Sequence, residues 1–393
     1  MTDFESRANA MPKDTTATPA DAKQRLDTLI ANARNQLLMP LTIAEALHKI
    51  AEGTASLDDI DAIRKKSYHW CATINSRLFG KALSLNRSYW DKLYSDHMPP
   101  PAFAALAAEN KRSGGIAEAY VYARLRQTVE SLRPVRNTLV KGAAGGFELV
   151  AFLSAFEQDP KLRRSVDKAY EVVVHALFNA IASRVRAQVT ISVSATEAEV
   201  MADFQDFCQL LLGVDAVTTS VSVPARLYRV GGTNSRDGGV DLWANFGPAI
   251  QVKHISLDAQ NTQPIVESIS AEQIVIVCKD ADKAAIQAVL TQVGLGGRVR
   301  GIITKADLAR WYHLALGPKH AADMAIPLFE SLVAEFDDEF TLADPTAIDK
   351  LTKERGYDRL KLEGAWSVAQ PVTRAVKPKK PKLQPNSRAK KGK

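Results

Sequence analysis

The stretch Gly231–Lys253 constrains the fold of this 393-residue chain most, because its turn signals and its alternation fit few backbone arrangements. Paired glycines lead into Val-Asp-Leu-Trp, and an Asn-Phe-Gly-Pro sequence then predicts a turn into the apolar strand Ile250–Ile255. Because side chains alternate along a strand, Gln251 and Lys253 share one of its faces. The turn folds this strand back on the preceding one, so Asp241 can lie beside both residues. The sequence therefore predicts a β-hairpin that gathers a carboxylate, an amide and an ammonium group.

The residues around the hairpin alternate between helix-like and strand-like patterns. A helix that ends at Gly213 precedes it, and the continuous apolar run Gln273–Cys278 that follows is typical of a strand buried on both faces. Helical periodicity over Ala281–Gln292 leads to a further strand, Val299–Thr304, and then to the helix Lys305–Leu316. This order predicts an α/β (α+β) fold in which helices flank a central sheet of mixed direction.

The N-terminal half has the apolar spacing of helices. The segment from Thr42 to Glu45 has the pattern of a capping box and is predicted to open the second helix. We predict four regions, namely a disordered N-terminus, a helical region, an α/β core and an extension that ends in a disordered basic tail: 1–19, 20–190, 191–345 and 346–393.

The net charge of +7 arises at the C-terminal end of the chain. Residues 374–393 contain nine of the 51 lysines and arginines and no acid, which leaves 42 basic against 44 acidic residues elsewhere. The high isoelectric point is therefore a property of the tail, and the folded part is close to neutral.

Cysteine usage and hydropathy indicate the compartment. The three isolated cysteines provide neither a disulfide framework nor a zinc-binding pattern, which is typical of a reducing environment. The polar N-terminus does not resemble a secretory signal, and the sequence has no run of about 18 apolar residues that could span a membrane. We therefore expect a cytoplasmic protein that does not associate with a membrane.

The three polar residues of the hairpin suit phosphodiester hydrolysis. Mg²⁺ prefers hard oxygen ligands, so Asp241 would anchor the ion with the amide oxygen of Gln251 and the backbone carbonyl of Val252. Lys253 would orient or deprotonate the attacking water and stabilise the charge that grows on the phosphate. The alternative is structural, with Asp241 and Lys253 as a buried ion pair and Gln251 as a satisfied core amide.

These residues resemble the PD-(D/E)XK nucleases and, among them, the type II restriction endonucleases. The resemblance covers about Glu197–Leu316 and rests on Asp241 followed ten residues later by Gln251-Val252-Lys253. The sequence departs from the family pattern at Val240, where a proline is usual, and at Gln251, where the second acid is usual. The family often takes an additional acid from a helix before the sheet. Glu199 is our choice for it, with Glu197 and Asp203 as competitors.

The resemblance implies a sequence-specific, Mg²⁺-dependent endonuclease for double-stranded DNA. It also implies a homodimer on a palindromic site, in which each subunit cuts one strand, and a partner DNA methyltransferase that protects host DNA. The α/β core would be the nuclease core, and the helical region would serve DNA recognition or dimerisation. The alternatives are a methylation-dependent or repair-type nuclease of the same superfamily and a DNA-binding module that has lost catalysis.

Basic residues are concentrated in the helical region that precedes the core. Between Lys111 and Thr190 there are thirteen lysines and arginines against seven acids. Each cluster could be a solvated helix face, but the net excess favours phosphate contacts. The residues that we predict to bind DNA are Arg124, Arg126, Arg133, Arg136 and, in the glycine-rich loop, Arg236.

Overall fold

The computed structural model describes residues 17–83, 92–159, 162–215, 217–230 and 240–368. Three of the sequence-based expectations therefore fall outside the described residues. They concern the predicted disordered N-terminus up to residue 16, the glycine-rich loop with Arg236, and the basic tail 374–393.

The described residues form helices in the N-terminal half and a mixture of strands and helices in the C-terminal half. The helices are α1 (Pro19–Asn32), α2 (Leu38–Ala51), α3 (Ile60–Phe79), α4 (Pro100–Arg112), α5 (Ile116–Gly142), α6 (Leu149–Gln158), α7 (Val166–Arg184), α8 (Ala198–Asp203), α9 (Gln205–Leu212), α10 (Ala259–Ser268), α11 (Lys283–Gln292), α12 (Lys305–Leu316), α13 (Ala321–Glu339) and α14 (Pro345–Glu354). The strands are β1 (Gln188–Ser192), β2 (Ser220–Pro224), β3 (Leu227–Arg229), β4 (Leu242–Ala244), β5 (Ala249–Leu257), β6 (Ile274–Ala281) and β7 (Val299–Thr304).

Five of the strands form one sheet of mixed direction, in the order β3-β4-β5-β6-β7. The hairpin predicted from the turn signals is present, since β4 pairs antiparallel with β5 and places Leu242 opposite Ile250. Strands β5, β6 and β7 run parallel to one another, with Val252 opposite Val277. The prediction of a central mixed sheet flanked by helices is thus confirmed.

Both faces of this sheet are covered. Ile250, Val252 and Val277 pack into a core that includes residues of α7, α12 and α13, among them Tyr170 and Leu328. On the opposite face, Ile274, Ile276 and Cys278 pack with residues of α10 and α11. Because alternate side chains of β6 enter different cores, this strand is apolar at nearly every position. This packing holds α7 directly against the hairpin.

The N-terminal helices have a core of their own. It unites buried residues of α1 to α5 with Ile348 and Leu351 of α14, so the end of the described chain returns to the first helices. The predicted capping box at Thr42 is wrong, because α2 begins at Leu38, one turn earlier. Thr42 lies inside the helix and donates its hydroxyl to the carbonyl of Leu38 at 2.8 Å.

Strands β1 and β2 form a separate two-stranded ribbon, with Gln188 opposite Pro224 and Ser192 opposite Ser220. Its residues are mostly exposed on both faces. In the part of the chain that the structure describes, none of the helices has the length and apolar character needed to cross a membrane.

Candidate active site

The candidate site lies where β5 extends beyond its partner β4. Pairing with β4 involves Ala249 and Ile250, so the following backbone N–H groups on that edge need other acceptors. The N–H of Val252 donates to Oδ2 of Asp241 at 2.8 Å, and the N–H of His254 donates to Oδ1 of Asp167 at 2.8 Å. Two carboxylates therefore lie side by side along the open edge of one strand.

Gln251 completes the hairpin site with an amide that is only half satisfied. Its side chain is 4% exposed, and its Nε2 donates to Oδ2 of Asp241 at 2.6 Å. Its Oε1 is buried and has no hydrogen-bond partner among the described residues. The described residues alone therefore do not satisfy the Gln251 amide. A buried oxygen without a donor is costly, and a cation or an ordered water would remove that cost.

Lys253 lies next along the strand and is partly exposed. Within the described residues, its ammonium group forms neither a hydrogen bond nor an ion pair, so the alternative of a structural Asp241–Lys253 pair is not realised. The group is near enough to act electrostatically, because it lowers the pKa of Asp241. Lys253 is thus a cation beside the site that is not engaged by another part of the described chain.

Burial raises the pKa of the Asp241 carboxyl above its ordinary value. The N–H of Val252 and the ammonium groups of Lys168 and Lys253 act in the opposite direction, and the charge of Asp167 adds to the rise. An acid with a raised pKa binds a proton more readily, and a divalent cation would compete for the same oxygens.

Helix α7 brings further charged groups to the site that the sequence did not reveal. Asp167 lies in its first turn and also accepts a hydrogen bond from Nδ1 of His254 at 2.8 Å. Glu171 follows one helical turn later and is 1% exposed. Lys168 donates to its two carboxylate oxygens at 2.7 and 2.9 Å, and Nε of Arg229 on β3 lies 3.7 Å from Oε2.

The ionisation of Glu171 is coupled to the hairpin. Burial raises the pKa of Glu171 to about 7, and the nearby charge of Asp241 contributes in the same direction. Lys168 and Arg229 only partly offset this effect. The signal in the sequence was the spacing of Asp167 and Glu171, because acids four residues apart share one face of a helix.

The structure does not bring Glu199 to this group. Glu199 lies on the short helix α8, beyond the ribbon of β1 and β2, and is exposed. Its competitors Glu197 and Asp203 are exposed in the same segment. The position beside the sheet is taken by α7, because the apolar face of that longer helix packs on Ile250 and Val252.

The oxygen atoms at the hairpin suit a hard cation. Among the described residues, no three histidine, cysteine, aspartate or glutamate side chains gather closely enough to hold a metal ion. A site here would combine the Asp241 carboxylate, the unpartnered Oε1 of Gln251 and the carbonyl of Val252, which lies 3.5 Å from the amide nitrogen of Gln251. Few carboxylates with water and phosphate oxygens are the usual surroundings of protein-bound Mg²⁺.

The four arginines of α5 that were predicted to bind DNA have different surroundings. Arg124 lies over the ring of Tyr120, and Arg126 pairs with Glu130 and Asp349. Arg136 forms two parallel bonds to Asp337, at 2.5 and 2.6 Å. Arg133 is exposed and forms no ion pair within the described residues.

Comparison with known proteins finds relatives along most of the chain. The model of the HaeII restriction endonuclease family matches residues 22–357. The type II restriction enzyme HaeII of Haemophilus aegyptius is 34% identical over 340 residues, which cover 86% of this chain and 97% of the relative. The type II restriction enzyme NgoBI of Neisseria gonorrhoeae is 36% identical over 344 residues, which cover 86% and 96%. No solved structure matches the chain significantly.

Proposed function

Because the chain belongs to the HaeII restriction endonuclease family and is a type II site-specific deoxyribonuclease, we propose that it cuts double-stranded DNA with Mg²⁺ held at the β4–β5 hairpin. Asp241, Oε1 of Gln251 and the carbonyl of Val252 would hold the ion. When bound, the ion supplies Lewis-acid stabilisation of the phosphate charge. The observation that carries this proposal is the buried Oε1 of Gln251, which has no hydrogen-bond partner among the described residues. The nitrogen of the same amide donates to the Asp241 carboxylate.

Lys253 is the group that we propose to act on the attacking water. Its ammonium group forms neither a hydrogen bond nor an ion pair with the described residues. It can therefore orient the water and stabilise the negative charge that develops on the phosphate. In the hydrolysis, the water oxygen forms a bond to phosphorus while one P–O ester bond breaks. The water loses a proton and the leaving oxygen gains one, so the side chains return to their starting state.

We propose Glu171 in place of Glu199 as the additional acid. It is on the helix that packs against the hairpin, and its charge interacts with that of Asp241. A pKa of about 7 lets it exchange a proton near neutral pH, which is where a general base or acid is most effective. Lys168 holds the carboxylate in position through two hydrogen bonds, and the guanidinium charge of Arg229 lies nearby.

The partners that we propose are those of a type II restriction endonuclease. Two copies of the chain would bind a palindromic duplex and cut one strand each, in the cytoplasm, with a cognate DNA methyltransferase protecting the host site. Arginines of α5 would contact phosphates. Arg133 and Arg124 are better placed than Arg126 and Arg136, whose guanidinium groups are paired with acids.

The test is a digest of plasmid DNA by the purified chain with MgCl₂, with EDTA, and with CaCl₂. Discrete fragments that need Mg²⁺ are expected, and they would also give the recognition site. Asp241→Ala should abolish cutting and Lys253→Ala should strongly reduce it, while both variants still bind the fragment that contains the site. Cutting in EDTA would contradict the metal proposal. Cleavage restricted to methylated DNA would contradict the classical restriction activity in favour of a methylation-dependent one.

A further inference from the structure

The segment between β1 and β2, of which the structure describes residues 193–215 and 217–219, carries an apolar surface that the described residues leave uncovered; we call it the apolar arm. Phe204, Phe207, Leu210 and Leu211 are 59%, 62%, 85% and 66% exposed, and Val200 is 53% exposed. Positions 204, 207 and 211, which are the N-cap residue of α9 and two residues within it, recur at helical spacing and so form one stripe. This stripe faces outward.

The contacts of the described residues leave the apolar face of α9 without cover. Helix α9 has eight residues and none of them is buried. Helices of this length are marginal in water unless an apolar face is covered. Within the arm, Met201 and Val214 are buried, which is a small core for a segment of this size. The exposed stripe is therefore a surface for a partner.

Charge decides against DNA as that partner. From Ala187 to Ala225 the chain has no lysine or arginine and has five acids. A phosphate backbone would be repelled by such a surface, since proteins bind it through lysine and arginine. An apolar stripe between acidic residues suits another protein surface instead.

We propose that the apolar arm packs against the same arm of a second copy of this chain. Phe204 and Phe207 together leave roughly 200–300 Å² uncovered. With Val200, Leu210 and Leu211, the stripe amounts to on the order of 500 Å². Two copies would then bury about 1,000 Å², which reaches the lower bound for a specific interface. One arm alone offers too little surface for a stable complex unless its partner is equally apolar. The same arm of a second copy meets that requirement.

The root of the arm ties this interface to the candidate active site. Asn245, in the turn between β4 and β5, donates to the carbonyl of Pro224 at 2.9 Å and accepts from the N–H of Arg226 at 2.9 Å. The arm is thus attached to the hairpin that carries Asp241. The choice of a second copy rests on the proposed function, because one hairpin site per chain requires two chains to cut both strands. Pairing of the arms would set the separation of the two sites.

Sedimentation of the full chain without DNA or metal tests the inference. Wild type is expected to be a dimer at micromolar concentrations. The double variant Phe207→Glu with Leu210→Glu should weaken association by roughly 100-fold or more, because it places charges in the stripe. The matched control is Ile326→Glu on α13, where the side chain is 61% exposed, and it should remain a dimer. Circular dichroism checks that each variant is folded.

Cys208 provides a second measurement on the unaltered protein. It lies on α9, whereas Cys71 and Cys278 are buried. A short bismaleimide should therefore link two wild-type chains through Cys208, and Cys208→Ser should prevent the link. A wild type that sediments as a monomer, a folded double variant that stays dimeric, or a failure of wild type to cross-link would each overturn the inference. None of these measurements depends on DNA cleavage, so an inactive dimer would contradict only the proposed function.

Discussion

The amide nitrogen of Gln251 lies 2.6 Å from the carboxylate of Asp241 and donates a hydrogen bond to it. A carboxylate at position 251 would face Asp241 at this distance without a shared proton or cation, and two such charges cannot both ionise at low cost. The amide removes that repulsion and leaves its oxygen without a hydrogen-bond partner among the described residues. Gln251 therefore favours a stable metal-free hairpin at the expense of one negative ligand.

Gln251→Glu should destabilise the metal-free hairpin and add a negative ligand for the metal ion. In metal-free buffer near pH 8, the variant should lose about 1–3 kcal/mol of unfolding free energy, because a donor is replaced by a second charge. Added MgCl₂ should restore more stability to the variant than to wild type. Thermal unfolding with and without Mg²⁺ measures both effects. The control is Gln263→Glu, since Gln263 bonds Glu267 at 2.8 Å on the exposed side of α10. Equal Mg²⁺ responses in wild type and Gln251→Glu would contradict the proposed ligand role.

Lys253→Ala should reduce cleavage without affecting the fold. The loss of a cation that stabilises charge in the transition state typically costs roughly 10²–10³-fold in rate. Because Lys253 forms no bond to the described residues, the free energy of unfolding should change by less than about 0.5 kcal/mol. Lys279→Ala is the matched control on the neighbouring strand, where the ammonium group lies 3.9 Å from Glu157. Single-turnover cleavage and denaturant titration test the pair. Normal cleavage by Lys253→Ala would exclude a role in the reaction.

The hairpin part of the site was predictable, and the helix part was not. Gln251 and Lys253 follow Asp241 by ten and twelve residues, so a turn and strand alternation are enough to bring the three together. Glu171 and Asp241 are separated by 70 positions, and their proximity depends on how α7 packs on the sheet. Glu199 is closer to the hairpin in sequence, on α8, but α8 contributes no residue to either core that covers the sheet.

Replacing each acid separately distinguishes the two candidates. Glu171→Gln should lower the cleavage rate by roughly 10²-fold, the usual contribution of a positioned proton-transfer group. Glu199→Gln should leave the rate unchanged, since Glu199 is exposed on α8 and α8 does not contribute to the cores that cover the sheet. Cleavage rates at saturating enzyme, with DNA affinity measured in parallel, separate a catalytic effect from a binding effect. A normal rate in Glu171→Gln together with a reduced rate in Glu199→Gln would support Glu199 as the additional acid instead.

The raised pKa of Glu171 makes a prediction about stability and pH. Its ordinary value is 4.5 and its value in the fold is about 7, so the folded state binds the proton more tightly. The resulting stabilisation is fully present below about pH 4.5 and is lost as the pH rises through 7. The loss amounts to about 3 kcal/mol. Relative to Glu171→Gln, which does not titrate, wild type should therefore lose stability across this window. Urea titrations at several pH values measure the difference, and a constant difference would contradict the assignment.

The fold was predictable where a pattern had only one reading. Strand β7 and helix α12 have the bounds expected from Val299–Thr304 and Lys305–Leu316, because a β-rich apolar run and a capped amphipathic helix are unambiguous. Strand β1 was missed, since Gln188–Ser192 is short, polar and stabilised only by pairing with β2. The helix that ends at Gly213 was predicted and is present as α9, but periodicity alone does not reveal whether its apolar face meets its own chain or another one.

Two arginines on one helix separate DNA contact from structural pairing. Arg133→Ala should weaken binding to all DNA sequences alike and reduce the salt dependence of log K by about 1, as expected for one lost phosphate contact. Arg136→Ala should change this slope little, because its guanidinium group is held by two bonds to Asp337. It should instead cost about 0.5–1 kcal/mol of stability, since the pair is partly exposed. Fluorescence anisotropy across a salt series and thermal unfolding give the two quantities. An unchanged slope in Arg133→Ala would remove this residue from the DNA-binding surface.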